Sequence, residues 1–210
     1  MKNRRVSLRI VVVVTCSLLS CTRNDPERFF PNIEISALTK YFPLEVGAQW
    51  IYKSSLKGLA HHPKRIHTIL SLNELGYRVR CDSVWDEHGI AHNVLKEIVY
   101  YRPRKEGVEI LDDSGRHEGF MLRTPYSVGT SWEMSIGADS LEMRYTILDT
   151  AAKAEVPGGT FDKCLLVECI PMGKLGALSP GDDSILRFAP HVGLVSYQNS
   201  KYVLSFYSIR

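Results

Sequence analysis

LEMRYTI, residues 141–147, alternates Leu141, Met143, Tyr145 and Ile147 with Glu142, Arg144 and Thr146. A period of two puts the four apolar side chains on one face of a strand, whereas an apolar helix face needs a period near 3.6. The alternation recurs upstream of this stretch. Thr130, Trp132, Met134 and Ile136 stand against Ser131, Glu133 and Ser135. Ile66, Thr68, Leu70 and Leu72 stand against Arg65, His67 and Ser71, and Tyr77, Val79, Cys81 and Trp85 against Arg78, Arg80 and Asp82. Val94 to Tyr101 is apolar on both faces, the mark of a strand covered on both sides.

Short polar connectors separate the runs: NELG at 73–76, DEHG at 86–89, DDSG at 112–115 and QNSK at 198–201. Parallel neighbours need a crossover of roughly a dozen residues, so connectors this short return the chain antiparallel. No long segment of helical period follows Tyr41. The pattern predicts an all-β domain, a curved antiparallel meander forming a barrel or half-barrel, with little helix beyond the N-terminal leader.

One segment echoes another. PLEVGAQW (43–50) and PYSVGTSW (125–132) share Pro, Val, Gly and Trp, and Pro190-His191-Val192-Gly193 is a partial third copy. Each reads as a turn feeding a strand, with Gly giving the backbone freedom and Trp packing inward. The residues between the copies do not align, which favours reuse of one turn over duplication of a half-domain.

YFPLEVGAQWIY (41–52), VPGGTFDKCLLV (156–167) and FAPHVGLVSY (188–197) also carry a family resemblance. In the same order they resemble three signatures of uncharacterised bacterial lipoproteins and secreted proteins, FPL-x-x-G-x-x-W-x-Y, VPAG-T-F-x-x-C-L-x-V and APG-VG-L-V. Gly158 and His191 stand where that family more often has Ala and Gly. The resemblance implies a shared β fold, akin to the half-barrel lipoprotein carriers of the periplasm. It assigns no activity and no functional residue.

The leader says where the chain is sent. Lys2, Arg4, Arg5 and Arg9 precede an apolar run from Ile10 to Leu19, which ends in Leu18-Leu19-Ser20-Cys21. A basic start, a short apolar middle and small residues at the exit describe an export signal. The run is too short to span a bilayer, which takes about 20 apolar residues. LLSC resembles a lipobox, with Leu19 bulkier than usual, and implies lipidation at Cys21; Cys16 lies inside the apolar run and is the weaker candidate. The expected organisation is a signal peptide at 1–20, a lipidated tether at 21–40 carrying a helical turn near Glu34 to Lys40, and a single β domain at 41–210. Phe29 and Phe30 are expected to dock on that domain. Thr22, rather than Asp, after Cys21 favours the outer membrane, facing the periplasm or the cell surface.

Losing residues 1–20 removes four of 26 basic residues and leaves 22 against 23 acids. The isoelectric point near 8.6 is then largely the leader's, and no nucleic-acid partner is expected.

Chemistry-bearing clusters are few. His61, His62 and His67, and His88 and His92 beside Asp86 and Glu87, have metal-ligand chemistry, but their setting suggests solvated turn histidines, so no metal and no cofactor is expected. Asp112-Asp113 and Asp182-Asp183 read as turn formers rather than calcium ligands. Ser54-x-x-Lys57 has an acyl-transferase spacing but continues a strand and lacks companion motifs. GKLGALSPGDDS (173–184) is a connector or a flap over a binding face. Tyr100, Tyr101, Tyr197, Tyr202 and Tyr207 are either groove-lining or ordinary sheet residues.

Cys164 and Cys169 are five residues apart in one predicted strand, about 16 Å at 3.3 Å per residue, so they should not pair. Parity makes Cys81 and Cys169 the better-matched pair if a bridge forms, and buried free thiols fit equally. The functional expectation is a non-catalytic envelope lipoprotein, tethered to the membrane through Cys21, whose sheet binds an apolar ligand or an envelope protein. Its rivals are a structural lipoprotein with a filled core and a hydrolase without a recognisable motif.

Overall fold

The computed structural model describes residues 25–54, 64–87, 90–136, 141–172, 184–197 and 202–209. The expected signal peptide at 1–20, Cys21, His61, His62, His88, Lys57, Asp182-Asp183 and the 173–183 segment lie outside them.

Two short helices, α1 (Pro26–Phe29) and α2 (Ile35–Thr39), precede twelve strands among the described residues. These are β1 (Gln49–Ser54), β2 (Lys64–Asn73), β3 (Gly76–Glu87), β4 (Ile90–Arg104), β5 (Gly107–Leu111) and β6 (His117–Arg123). The second six are β7 (Ser131–Ile136), β8 (Leu141–Val156), β9 (Gly159–Pro171), β10 (Ser184–Ala189), β11 (Gly193–Tyr197) and β12 (Tyr202–Ser208).

They form one antiparallel sheet in the order β6-β5-β4-β3-β2-β1-β12-β11-β10-β9-β8-β7. Every neighbour is next in sequence except β1 and β12, which join the two ends of the chain by pairing Gln49 with Ser208 and Ser54 with Tyr202. The sheet is a meander curled into a nearly closed barrel, and its two edges are the consecutive strands β6 and β7. The Trp132 indole N–H donates to the Phe120 carbonyl at 2.9 Å across that seam.

The predicted faces hold for most strands. Tyr145, Ile147 and Trp132 are buried, and Val79 pairs with Val99 inside the barrel. In β2 the predicted face is the wrong one at its start. Arg65, His67 and Ile69 point inward, because His67 sits opposite Cys81 and Ile69 opposite Val79. Ile66, Leu70 and Leu72 outnumber Ile69 as apolar residues, so the period favoured the face that the structure turns outward at the start of the strand. A bulge between Ile69 and Ser71 then returns Leu72 to the inside.

The repeated turn is real in geometry. Gly47 (φ 91°) donates to Ile69 O at 2.9 Å, and Ile69 donates back to Ala48 O at 3.0 Å. Gly129 (φ 87°) donates to Ile147 O at 2.8 Å, and Ile147 back to Thr130 O at 2.9 Å.

Residues 30–44 close one end of the barrel. Phe30, Leu38, Tyr41, Phe42 and Leu44 are buried in the core. Phe42 packs edge-on against Tyr101 with ring centroids 4.9 Å apart, and Tyr126 Oη donates to Leu38 O at 3.0 Å. Residues 25–40 thus dock by way of Phe30 and Leu38, with Pro26 starting α1 beneath the Asp25 cap.

Candidate functional site

The inner faces of β2, β3 and β4 place His67, Cys81 and Glu97 in one row across three strands. This row is one wall of a cavity of about 340 Å³, at the lower end of the roughly 300–1,000 Å³ of small-molecule sites. Apolar side chains complete the lining: Val99 and Tyr101 beside Glu97 on β4, Ile110, Met121 of β6 and Met134 of β7, with Glu118 and Ser135 adding polar atoms on the β6–β7 side. Tyr101 is the floor, since its ring also rests on Phe42 of the closed end.

Behind the polar wall lies an aromatic shelf. The Arg65 guanidinium sits 4.8 Å over the Tyr202 ring and 5.6 Å from the Tyr197 centroid. Tyr197 and Tyr202 stack at 5.1 Å and 8°, and Tyr52 meets both Tyr197 and His67 edge-on. Tyr52 Oη donates to Leu194 O at 3.0 Å.

These surroundings set the protonation states. Burial, helped by the Arg65 charge, lowers His67 to about 4 and keeps it neutral at pH 7. What surface His67 keeps faces the cavity. Burial first, then Glu97 and Asp82, push the Cys81 thiol up to about 12 against the opposing pull of Arg65. A thiol held protonated is a poor nucleophile, so Cys81 and His67 do not form an activated pair. Burial also raises Glu118, and Asp112 and Glu97 add to the effect. The arrangement suits contact and hydrogen bonding with a ligand that has an apolar body and a polar end.

The other candidates are placed as follows. His67 is a strand residue of the cavity wall rather than a solvated turn histidine, and its inward parity was the signal that sequence reading missed. Arg65 was missed for the same reason. Asp86 and Glu87 end β3, and Glu87 pairs with Ile90 at the start of β4, the strand that carries His92. Asp112 caps its own turn, accepting from Ser114 N, Ser114 Oγ and Arg116 N at 2.6–2.9 Å. Those bonds, the Ser114 side chain foremost, lower its pKa. Ser54 is the last residue of β1. Tyr101 lines the cavity, Tyr197 and Tyr202 hold Arg65, Tyr100 is buried, and Tyr207 packs on Phe161. Cys81, Cys164 and Cys169 are free thiols, with Cys164 and Cys169 both in β9.

No family model matches the chain, and no curated protein matches it. Among solved structures it is similar to a Bacteroides fragilis protein described as exported, with a YmcC-like fold. That likeness has a TM-score of 0.47 and 14% identity over 80% of this chain and 99% of the other. It is also similar to a Parabacteroides distasonis protein described as a lipoprotein, with a TM-score of 0.41 and 16% identity over 80% and 98%.

Proposed function

We propose that this chain is an exported envelope lipoprotein, anchored through Cys21, whose barrel holds a small amphipathic ligand without transforming it. The observation that carries this reading is the cavity, whose lining combines Val99, Ile110, Met121 and Met134 with His67, Cys81 and Glu97. Water fills such a space poorly on its apolar side, and an apolar ligand body gains by covering it. A structural role is the second reading, favoured by the closed end, where Phe42, Phe188 and their neighbours fill the interior.

Met134 provides the test, because it lines the cavity. Titration calorimetry of the Cys21→Ser chain with a medium-chain amphiphile should show binding, and Met134→Trp should weaken it. No binding by any amphiphile tried, or equal binding by Met134→Trp, would count against the binding role and for the structural one. Fractionation tests the anchor separately: Cys21→Ser should move the chain out of the membrane fraction, and its retention there would refute lipid anchoring at that residue.

A further inference from the structure

The way into this cavity is written in the strand pairing. Eleven strand pairings around the barrel are described by backbone register, and each must break a ladder to open, the β3–β4 ladder running the length of Tyr77–Glu87. β6 and β7 are consecutive strands that lie side by side at the two edges of the sheet order and share no such ladder. Two side chains bridge them. The Trp132 indole donates to Phe120 O at 2.9 Å, and Met134 covers the backbone of Gly119 so closely that a Cβ there would fall 2.8 Å from Met134 Cβ.

The cavity lies directly beneath this seam. Glu118 and Met121 come from its β6 side, Met134 and Ser135 from its β7 side. The end of the barrel beyond Tyr101 is closed by Phe42. We propose that the β6–β7 seam is the portal through which an elongated amphiphile enters sideways, its apolar part passing between Met121 and Met134. This rests on the binding role proposed above. Parting the strands here breaks one hydrogen bond to a carbonyl and some thioether contacts, and unbranched methionines re-pack easily around a passing chain. Parting a laddered pair breaks backbone bonds, from two paired positions in β11–β12 to eleven in β3–β4. Trp132 is the latch, held in place by its stack on Tyr145 at 5.5 Å and 9°.

The test follows uptake of N-phenylnaphthylamine, a neutral apolar dye, by stopped-flow fluorescence in the full chain carrying Cys21→Ser, which stays free of lipid. In Gly119→Cys/Met134→Cys, oxidation should staple the seam and abolish fast uptake, and reduction of the same sample should restore it. Comparing the two states of one variant separates the staple from the side-chain changes. Should the double variant fail to fold, Trp132→Phe keeps the ring but removes the N–H, and uptake and release should both quicken about two- to tenfold. Dye that binds at the same rate in stapled and reduced protein, or in Trp132→Phe and wild type, would overturn the portal and leave the binding role standing. A wild-type chain that binds no dye would overturn both.

Discussion

His67 and Glu109 show how single positions tie this fold to pH, and they do so in separate windows. Burial alone would raise Glu109, but hydrogen bonds from Arg102, Arg104 and His117 at 2.6–2.9 Å bring it down to about 2. A carboxylate whose folded pKa is depressed adds stability that is complete above its ordinary value of 4.5 and is lost as pH falls toward 2. His67, lowered from 6.5 to about 4, works through the unfolded chain, which takes up a proton that the folded chain refuses. Its effect is a loss of stability as pH falls from 6.5 to 4. Urea unfolding across this range should therefore show two slopes. His67→Gln should flatten the upper one. Glu109→Gln should cost about 1.5–3 kcal/mol at pH 7, the worth of bonds to a charged group, and that deficit should shrink below pH 4.5. A deficit that stays constant down to pH 2 would show that the Arg102–Glu109–Arg104 cluster does not hold the charge.

At the scale of elements, the repeated turn explains why Pro-x-x-Val-Gly-x-x-Trp occurs twice. Each copy seats a glycine at a φ near 90° and swaps two backbone bonds with an isoleucine of the next strand. Gly129 separates backbone strain from packing, since a Cβ there meets nothing within 4 Å. Gly129→Ala should thus cost about 1–3 kcal/mol through its dihedral alone, measured by thermal or urea unfolding. A neutral substitution would mean the turn relaxes. Strands whose alternation was unambiguous, such as Met143-Arg144-Tyr145-Thr146-Ile147, were legible in the sequence down to their buried face. β2 was not, because Ile66, Leu70 and Leu72 offered one apolar face while Ile69 and the bulge beside it served the other. The register with β3 settles the matter, and register belongs to two strands at once.

For the whole molecule, the all-β meander followed from short connectors and period-two runs, and the curled sheet agrees with both. The cavity was not legible. It arises because Arg65 and His67 point into the barrel from a strand whose period favoured the other face, because Glu97 joins them from a run that read as apolar on both faces, and because Met121 and Met134 leave space under an unladdered seam. No spacing along the chain records that convergence. The central claim, a ligand held between Tyr101 and the His67–Cys81–Glu97 row, is tested most directly by native mass spectrometry of the full chain gently extracted from its own cells. The account predicts one small amphipathic molecule per chain, released on activation, and its weaker retention by Met134→Trp, whose larger side chain takes up part of the cavity. A wild-type chain recovered empty, or a molecule retained equally by Met134→Trp, would contradict it.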